Sequence, residues 1–261
     1  MNRRHFLCAG LSTIALGGCS AIPVDTLRID RSHSARYYSS RIQTVIIHYT
    51  ALDDAQSLKI LTQDKVSSHY LITREPNARI LQLVDEQHKA WHAGDSTWYG
   101  QSLVNSTSIG IEIVNKGRQA DDSWQPYTEA QITALTALLK DVVERHGIKP
   151  QHIVGHSDVA PYRKQDPGPL FPWEQLARQG LGRWYDTQKA QRYAQEFQTK
   201  GLPSASWIQQ ELLRVGYNAP TSQQLDKRTR EVIRAFQLHY RPMRHDGTPD
   251  AQTLGILKAL T

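Results

Sequence analysis

Residues 44–49 read Thr-Val-Ile-Ile-His-Tyr, an apolar and largely β-branched run that contains a histidine near its end. Such a run predicts a buried strand. Residues 108–114 have a related pattern, in which isoleucines alternate with Gly110 and Glu112. Because successive side chains of a strand point to opposite faces, the isoleucines share one face and Glu112 lies on the other. We take these two strands as the centre of the fold.

Shorter elements surround the two strands. Further strands are predicted at 69–72, 80–84 and 153–156, and helices at 56–64, 128–146 and 174–181. The helix over 128–146 has the clearest signals, since Thr128 can cap it, leucines recur at helical spacing and Gly147 ends it. The elements show no regular βαβ repeat, so the predicted class is α/β, a mixed central sheet flanked by helices.

The chain divides into five predicted segments. They are a signal peptide at 1–18, a polar tether at 19–40, the α/β domain at 41–185, a polar linker at 186–197 and a small all-α domain at 198–261. The last segment holds three predicted helices, near 206–215, 226–239 and 248–260. About sixty residues are enough for a small three-helix domain.

The N-terminus carries targeting signals. Arg3 and Arg4 precede a short apolar run over 6–16, and small residues then lead to Cys19. This pattern is typical of a secretory signal and resembles a bacterial lipobox, in which Cys19 is lipidated. Ser20 after the cysteine favours, by the same resemblance, an outer membrane lipoprotein that faces the periplasm. The alternative is a plain signal peptide with an incidental cysteine.

Composition narrows the function classes. Both cysteines lie in the first twenty residues, so the rest of the chain has no disulfide. The formal net charge of +6 falls by two when Arg3 and Arg4 are removed with the signal. A mild positive charge suits an acidic polymer, and we find no nucleic-acid motif.

Five motifs follow one another in order, at 45–50, 66–72, 90–94, 108–112 and 155–169. Together they resemble the N-acetylmuramoyl-L-alanine amidases of the AmpD and AmiD type, distant relatives of the peptidoglycan recognition proteins. The resemblance covers roughly residues 40–182. With a lipobox and a C-terminal helical unit, the whole chain resembles the lipoprotein branch of this family.

The resemblance implies hydrolysis of the amide between N-acetylmuramic acid, or its anhydro form, and L-alanine. It implies Zn²⁺ as cofactor, with His48, His156 and Asp166 as ligands. It also implies Glu112 as the general base and acid and Lys164 as the group that stabilises the oxyanion. Zinc catalysis indeed needs three protein ligands and an open position. Spacing alone does not select this triple among eleven histidines, and Glu112 alone could equally face solvent from a half-exposed strand.

Substrate contacts are predicted from the same motifs. The candidates are Lys65, His69, Trp91, His92 and Asn105. Cytoplasmic relatives carry two basic residues for the carboxylate of the stem-peptide diamino acid. Lys65 keeps the first charge, and Leu103 has lost the second. We therefore expect a specificity broader than anhydro-muropeptide recycling, peptidoglycan or muropeptides as partners, and a monomer.

Two other functions compete with the enzyme hypothesis. One is a non-catalytic recognition module, and the other is a structural anchor between membrane and cell wall. The C-terminal unit resembles a three-helix peptidoglycan-binding domain, although its apolar spacing also fits a plain helical core. A full ligand set together with Glu112 and Lys164 favours the enzyme.

Overall fold

The computed structural model describes residues 28–74 and 76–261. The predicted signal peptide and Cys19 lie outside these ranges. Residues 28–39, part of the predicted tether, contain no helix or strand and have exposed side chains. Residues 40–261 form one compact unit. In the two described ranges, no helix has both the length and the apolar character that crossing a membrane requires.

In the described part of the chain, five strands form a single mixed sheet. They are β1 (Thr44–Tyr49), β2 (Tyr70–Ile72), β3 (Ile80–Gln82), β4 (Ser108–Ile113) and β5 (Ile153–Gly155). Their spatial order is β3-β2-β4-β1-β5, and only the β2–β3 pair is antiparallel. In the register of β1 and β4, His48 lies opposite Glu112. Two of the predicted site residues are therefore neighbours on adjacent strands.

One face of the sheet packs against a long helix over residues 129–146. The helices of this region are α1 (Asp54–Gln63), the long α2 (Glu129–His146), α3 (His156–Val159) and α4 (Trp173–Ala177). Val45, Ile47 and Ile111 belong to the same apolar cluster as the leucines of α2. Thr128 caps α2 in a capping box, and Gly147 ends it with a left-handed backbone. The predicted bounds of this helix are confirmed.

The opposite face of the sheet carries the C-terminal helices. These are α5 (Thr187–Lys200), α6 (Ala205–Val215), α7 (Lys227–Tyr240) and α8 (Ala251–Leu260). Ile46 of β1 and Val154 of β5 belong to one apolar cluster with buried residues of α6, α7 and α8. The predicted helical domain is present, and it shares a hydrophobic core with the sheet.

The predicted linker at 186–197 is wrong. Asp186 instead caps α5, which covers most of that segment and packs along α8. A Cβ atom on Gly255 would lie only 2.5 Å from the carbonyl oxygen of Ala190 and 2.7 Å from the amide nitrogen of Ala194. The two helices approach closely because these residues are small. Small residues give a weak hydrophobic signal, so the segment resembled a polar linker.

Candidate active site

The three predicted metal ligands meet at the ends of β1 and β5. His48 Nδ1 lies 2.9 Å from His156 Nδ1 and 3.1 Å from Asp166 Oδ2. His156 Nδ1 lies 3.0 Å from the same carboxylate oxygen. All three residues are buried. Burial, with the neighbouring His156, lowers the pKa of His48 to about 4, so this imidazole is neutral at physiological pH.

Hydrogen bonds on the far side of each imidazole fix the proton positions. The backbone carbonyl of Ala93 lies 3.1 Å from His156 Nε2, which must therefore carry the proton. The Ser108 hydroxyl donates to the Val104 carbonyl at 2.7 Å, so it can only accept from His92 Nε2, 3.2 Å away.

The same reasoning extends to His48. Because the proton of His92 is on Nε2, its Nδ1 accepts from His48 Nε2, 3.0 Å away. His48 Nδ1 and His156 Nδ1 consequently both present lone pairs. Burial lowers the pKa of His92 well below its usual value, which keeps this imidazole neutral.

This donor set fits a metal ion. Two nitrogen lone pairs and a carboxylate oxygen face one another with no proton between them, an arrangement that a cation stabilises. Around a tetrahedral zinc ion with bonds of about 2.0–2.1 Å, ligand atoms lie about 3.3 Å apart. The observed separations of 2.9–3.1 Å are close to that value. His48, His156 and Asp166 thus form a buried group that could bind a metal.

Glu112 lies beside this group in a cleft of about 360 Å³. Its Oε2 atom is buried and has no hydrogen-bond partner among the described residues. Burial, together with the nearby charge of Asp166, raises the pKa of Glu112 to about 8, although Lys164 opposes the rise. A carboxyl with a pKa near neutrality can both take and give a proton. Lys164 lines the same cleft.

Comparison with known proteins agrees with this geometry. Residues 38–169 match the family described as N-acetylmuramoyl-L-alanine amidase, and residues 202–257 match one described as putative peptidoglycan binding domain. The chain is 42% identical to N-acetylmuramoyl-L-alanine amidase AmiD of Escherichia coli K12, over 98% of this chain and 97% of that one.

The chain belongs to the N-acetylmuramoyl-L-alanine amidase family.

Solved structures of this amidase family are similar over almost the whole fold. The crystal structure of AmpDh3 from Pseudomonas aeruginosa superposes with a TM-score of 0.85 at 40% identity, covering 90% of this chain and 97% of that chain. E. coli AmiD, solved with the substrate anhydro-N-acetylmuramic acid-L-Ala-D-gamma-Glu-L-Lys, gives 0.81 at 42% identity, covering 90% and 95%. The predicted fold, including the helical domain, is confirmed.

Two of the predicted substrate contacts of this amidase line the cleft. Trp91 is 56% exposed, and Lys89 Nζ lies 3.8 Å from the centre of its ring. His92 also lines the cleft, but both of its ring nitrogens are engaged by His48 and Ser108. His92 therefore lies in the cleft wall and orients the metal-binding residue His48.

Three other predicted contacts lie elsewhere. His69 is fully buried, accepts from the Gly110 amide at 3.0 Å and donates to the His88 carbonyl at 3.2 Å, so the prediction of a substrate contact is wrong. Asn105 accepts from the backbone amides of residues 92 and 93 at 3.2 and 2.8 Å and does not line the cleft. Lys65 is exposed, next to the cleft-lining Val66. All three support or flank the cleft rather than form its wall.

Sequence reasoning missed other residues of the amidase cleft. Arg163 donates to the carbonyls of Ala93 and Asp95 and so ties the loop after Trp91 to the ligand segment. Tyr49 lines the cleft, and burial, with the charge of Asp166, raises its pKa to about 12. Both residues lie inside the quoted motifs, next to residues with assigned roles, and their own spacing carries no distinct signal.

Proposed function

We propose that the protein hydrolyses the amide bond between N-acetylmuramic acid, or its 1,6-anhydro form, and L-alanine in peptidoglycan. The observation that carries this proposal is the meeting of His48, His156 and Asp166 in one cleft beside Glu112, whose buried Oε2 has no hydrogen-bond partner among the described residues. Family membership and the substrate seen in the E. coli AmiD structure support it.

We propose Zn²⁺ as the metal. Two imidazoles and one carboxylate are a common ligand set for catalytic zinc, which keeps a further position open. When bound, the ion supplies Lewis-acid polarisation of the scissile carbonyl and makes a water molecule more acidic. His48 and His156 hold their lone pairs toward it because His92 and the Ala93 carbonyl fix their protons.

Glu112 moves the proton. Its ionised carboxylate takes a proton from the attacking water as the water oxygen bonds to the carbonyl carbon. When the carbon–nitrogen bond breaks, the same carboxyl gives that proton to the nitrogen of L-alanine. The second proton of the water leaves the new carboxyl group, so the products near neutral pH are a carboxylate on the muramic acid side and a protonated amine on the peptide. A pKa near 8 for Glu112 suits both transfers.

Lys164 and Trp91 complete the cleft. The lysine ammonium stabilises the negative charge that develops on the carbonyl oxygen during attack. Trp91 presents an exposed ring at the cleft, where a sugar or peptide can stack. Both residues line the same cavity as Glu112.

Mass spectrometry of digested sacculi and of a purified anhydro-muropeptide tests the activity. We expect free stem peptides that begin with L-alanine, their loss with chelator, and their return when zinc is added. Products absent in the presence of zinc would refute the enzyme and favour a recognition module. A Glu112→Ala variant with full activity would refute the role of the glutamate.

We also propose that Cys19 is lipidated and anchors the monomer to the outer membrane, facing the periplasm. The support is the sequence of residues 1–20. Metabolic labelling with an alkyne fatty acid should mark the wild-type protein and leave Cys19→Ala unmarked. Equal labelling of both would contradict the proposal.

The helical domain is proposed to bind peptidoglycan. Its support is the family match over residues 202–257. Retention of the protein on purified sacculi, with and without residues 198–261, would measure this binding. Unchanged retention after deletion would contradict it.

A further inference from the structure

Asp158 lies on the chain between two of the metal-binding residues, yet the mechanism above does not use it. Its side chain is fully buried. The carboxylate accepts three short hydrogen bonds, from the Gly155 amide at 2.7 Å, the Tyr217 hydroxyl at 2.6 Å and His239 Nδ1 at 2.7 Å. Tyr217 and His239 belong to the C-terminal helical domain. One buried acid of the sheet domain is thus satisfied largely from the other domain.

Asp158 sits at the base of the metal-binding segment. Its bond to the Gly155 amide closes the first turn of α3, whose first residue is His156. The next residue, Ser157, donates its amide to the Asp166 carbonyl at 2.9 Å. The turn that Asp158 fixes therefore sets the backbone of both His156 and Asp166.

The two partners of Asp158 are themselves held rigidly. The His239 ring stacks on Trp173 at 3.9 Å and on Tyr240 at 4.0 Å between ring centres. Tyr217 is fully buried and packs edge-on against Trp98 at 5.3 Å. These ring contacts restrain the donor groups that face Asp158.

A buried carboxylate is costly unless its oxygens are hydrogen-bonded. Without Tyr217 and His239, the Asp158 carboxylate would keep only one of these three donors, the backbone amide of Gly155. Asp158 would then have to reach water, and the turn that carries His156 would open with it. The metal site thus depends on donors that arrive from a different domain.

We propose that Tyr217 and His239 are positioning residues for the metal site, acting through Asp158. The C-terminal domain then has a second role beside peptidoglycan binding: it holds the segment from His156 to Asp166 in the geometry that binds the ion. This inference rests on the proposed function to the extent that these residues bind zinc.

The experiment measures zinc affinity by competition with a chromophoric chelator, in full-length protein. Tyr217→Phe removes one hydroxyl and keeps the ring. Tyr162→Phe is the matched control, because the Tyr162 hydroxyl makes an equally short 2.6 Å bond across the same interface, to the Asn218 carbonyl rather than to Asp158. We expect zinc binding about ten-fold weaker in Tyr217→Phe and unchanged in Tyr162→Phe.

Two further readouts separate positioning from general structure. His239→Asn keeps a donor near the Nδ1 position and should retain more zinc affinity than His239→Leu. The absorption spectrum of the Co²⁺-substituted protein should change in Tyr217→Phe, because the ligand geometry changes. For a soluble muropeptide, kcat should fall in the same variant at saturating zinc.

Wild-type zinc affinity and an unchanged Co²⁺ spectrum in Tyr217→Phe would overturn the inference. So would equal zinc affinities for His239→Asn and His239→Leu. These outcomes differ from a failure of the proposed function, in which the wild-type protein itself would bind no zinc or cleave no muropeptide.

Discussion

Replacing Glu112 by glutamine should stabilise the metal-free protein at alkaline pH and remove its activity. The carboxyl lies in the cleft with one buried oxygen that has no hydrogen-bond partner among the described residues. Burial and the charge of Asp166 raise its pKa from 4.5 to about 8. Glutamine has nearly the same shape and carries no charge to bury.

The sign follows from proton binding. Between about pH 4.5 and pH 8 the folded protein keeps the Glu112 proton that the unfolded chain has released. The wild-type protein therefore loses stability as the pH rises through this range, whereas the glutamine variant does not. The full shift corresponds to roughly 5 kcal/mol. Since Glu112 is only half-buried, solvent screening reduces this value. We expect the free energies of unfolding of the variant and the wild type to differ by about 2–4 kcal/mol at alkaline pH.

Urea unfolding of both proteins in chelator, at pH 5, 7 and 9, measures the difference directly. Relative to the wild type, the variant should gain little stability at pH 5 and most at pH 9. The kcat of its zinc form should fall by about 10²–10⁴. The matched control is the same change at Glu144, an exposed position of α2, which should leave both quantities close to wild type. A stability gain that does not depend on pH would show that the buried charge of Glu112 does not destabilise the folded protein.

Other perturbations test separate parts of the account. Gly110→Ala places a Cβ atom 2.5 Å from His92 Cγ, so it should displace the ring that orients His48. Zinc affinity, measured by chelator competition, should fall at least about ten-fold. An unchanged zinc affinity would argue against the role of the hydrogen bonds that join Ser108, His92 and His48. Although burial opposes it, hydrogen bonds from Arg145 and two further side chains lower the pKa of Glu86 to about 2. Glu86→Gln should therefore lower the free energy of unfolding, measured with urea, by about 1–2 kcal/mol at pH 7. This loss should vanish as the pH falls from about 4.5 to about 2. A loss that persists in acid would contradict the ion pair. Gly255→Ala should lower the free energy of unfolding by about 1–3 kcal/mol, because its Cβ meets the backbone of α5; wild-type stability would show that α5 and α8 can separate freely.

The elements that could be predicted from the sequence are those with local signals. Helix α2 was located to within a residue because its cap, Thr128, and its terminator, Gly147, are adjacent to it in sequence. The strand alternation placed Glu112 on the face opposite the isoleucines, and the register puts it beside His48. The motifs then identified the residues that meet in the cleft.

What could not be predicted depends on distant backbone groups. His69 and Asn105 lie in or near the motifs, but their hydrogen-bonding partners are main-chain atoms that only the folded sheet brings to them. The bond from His239 to Asp158 spans 81 residues and joins two domains. No local pattern in the sequence marks such a contact, so the motifs assigned His69 and Asn105 to the substrate and gave no role to His239.

The most direct measurement of the central claim follows one defined anhydro-muropeptide by mass spectrometry, with metal-depleted and zinc-reconstituted protein. We expect a peptide with a free L-alanine amine and a muramic acid with a free carboxylate, formed with zinc, lost with chelator and absent in Asp166→Ala. Cleavage that survives metal removal, or cleavage at any other bond, would contradict it.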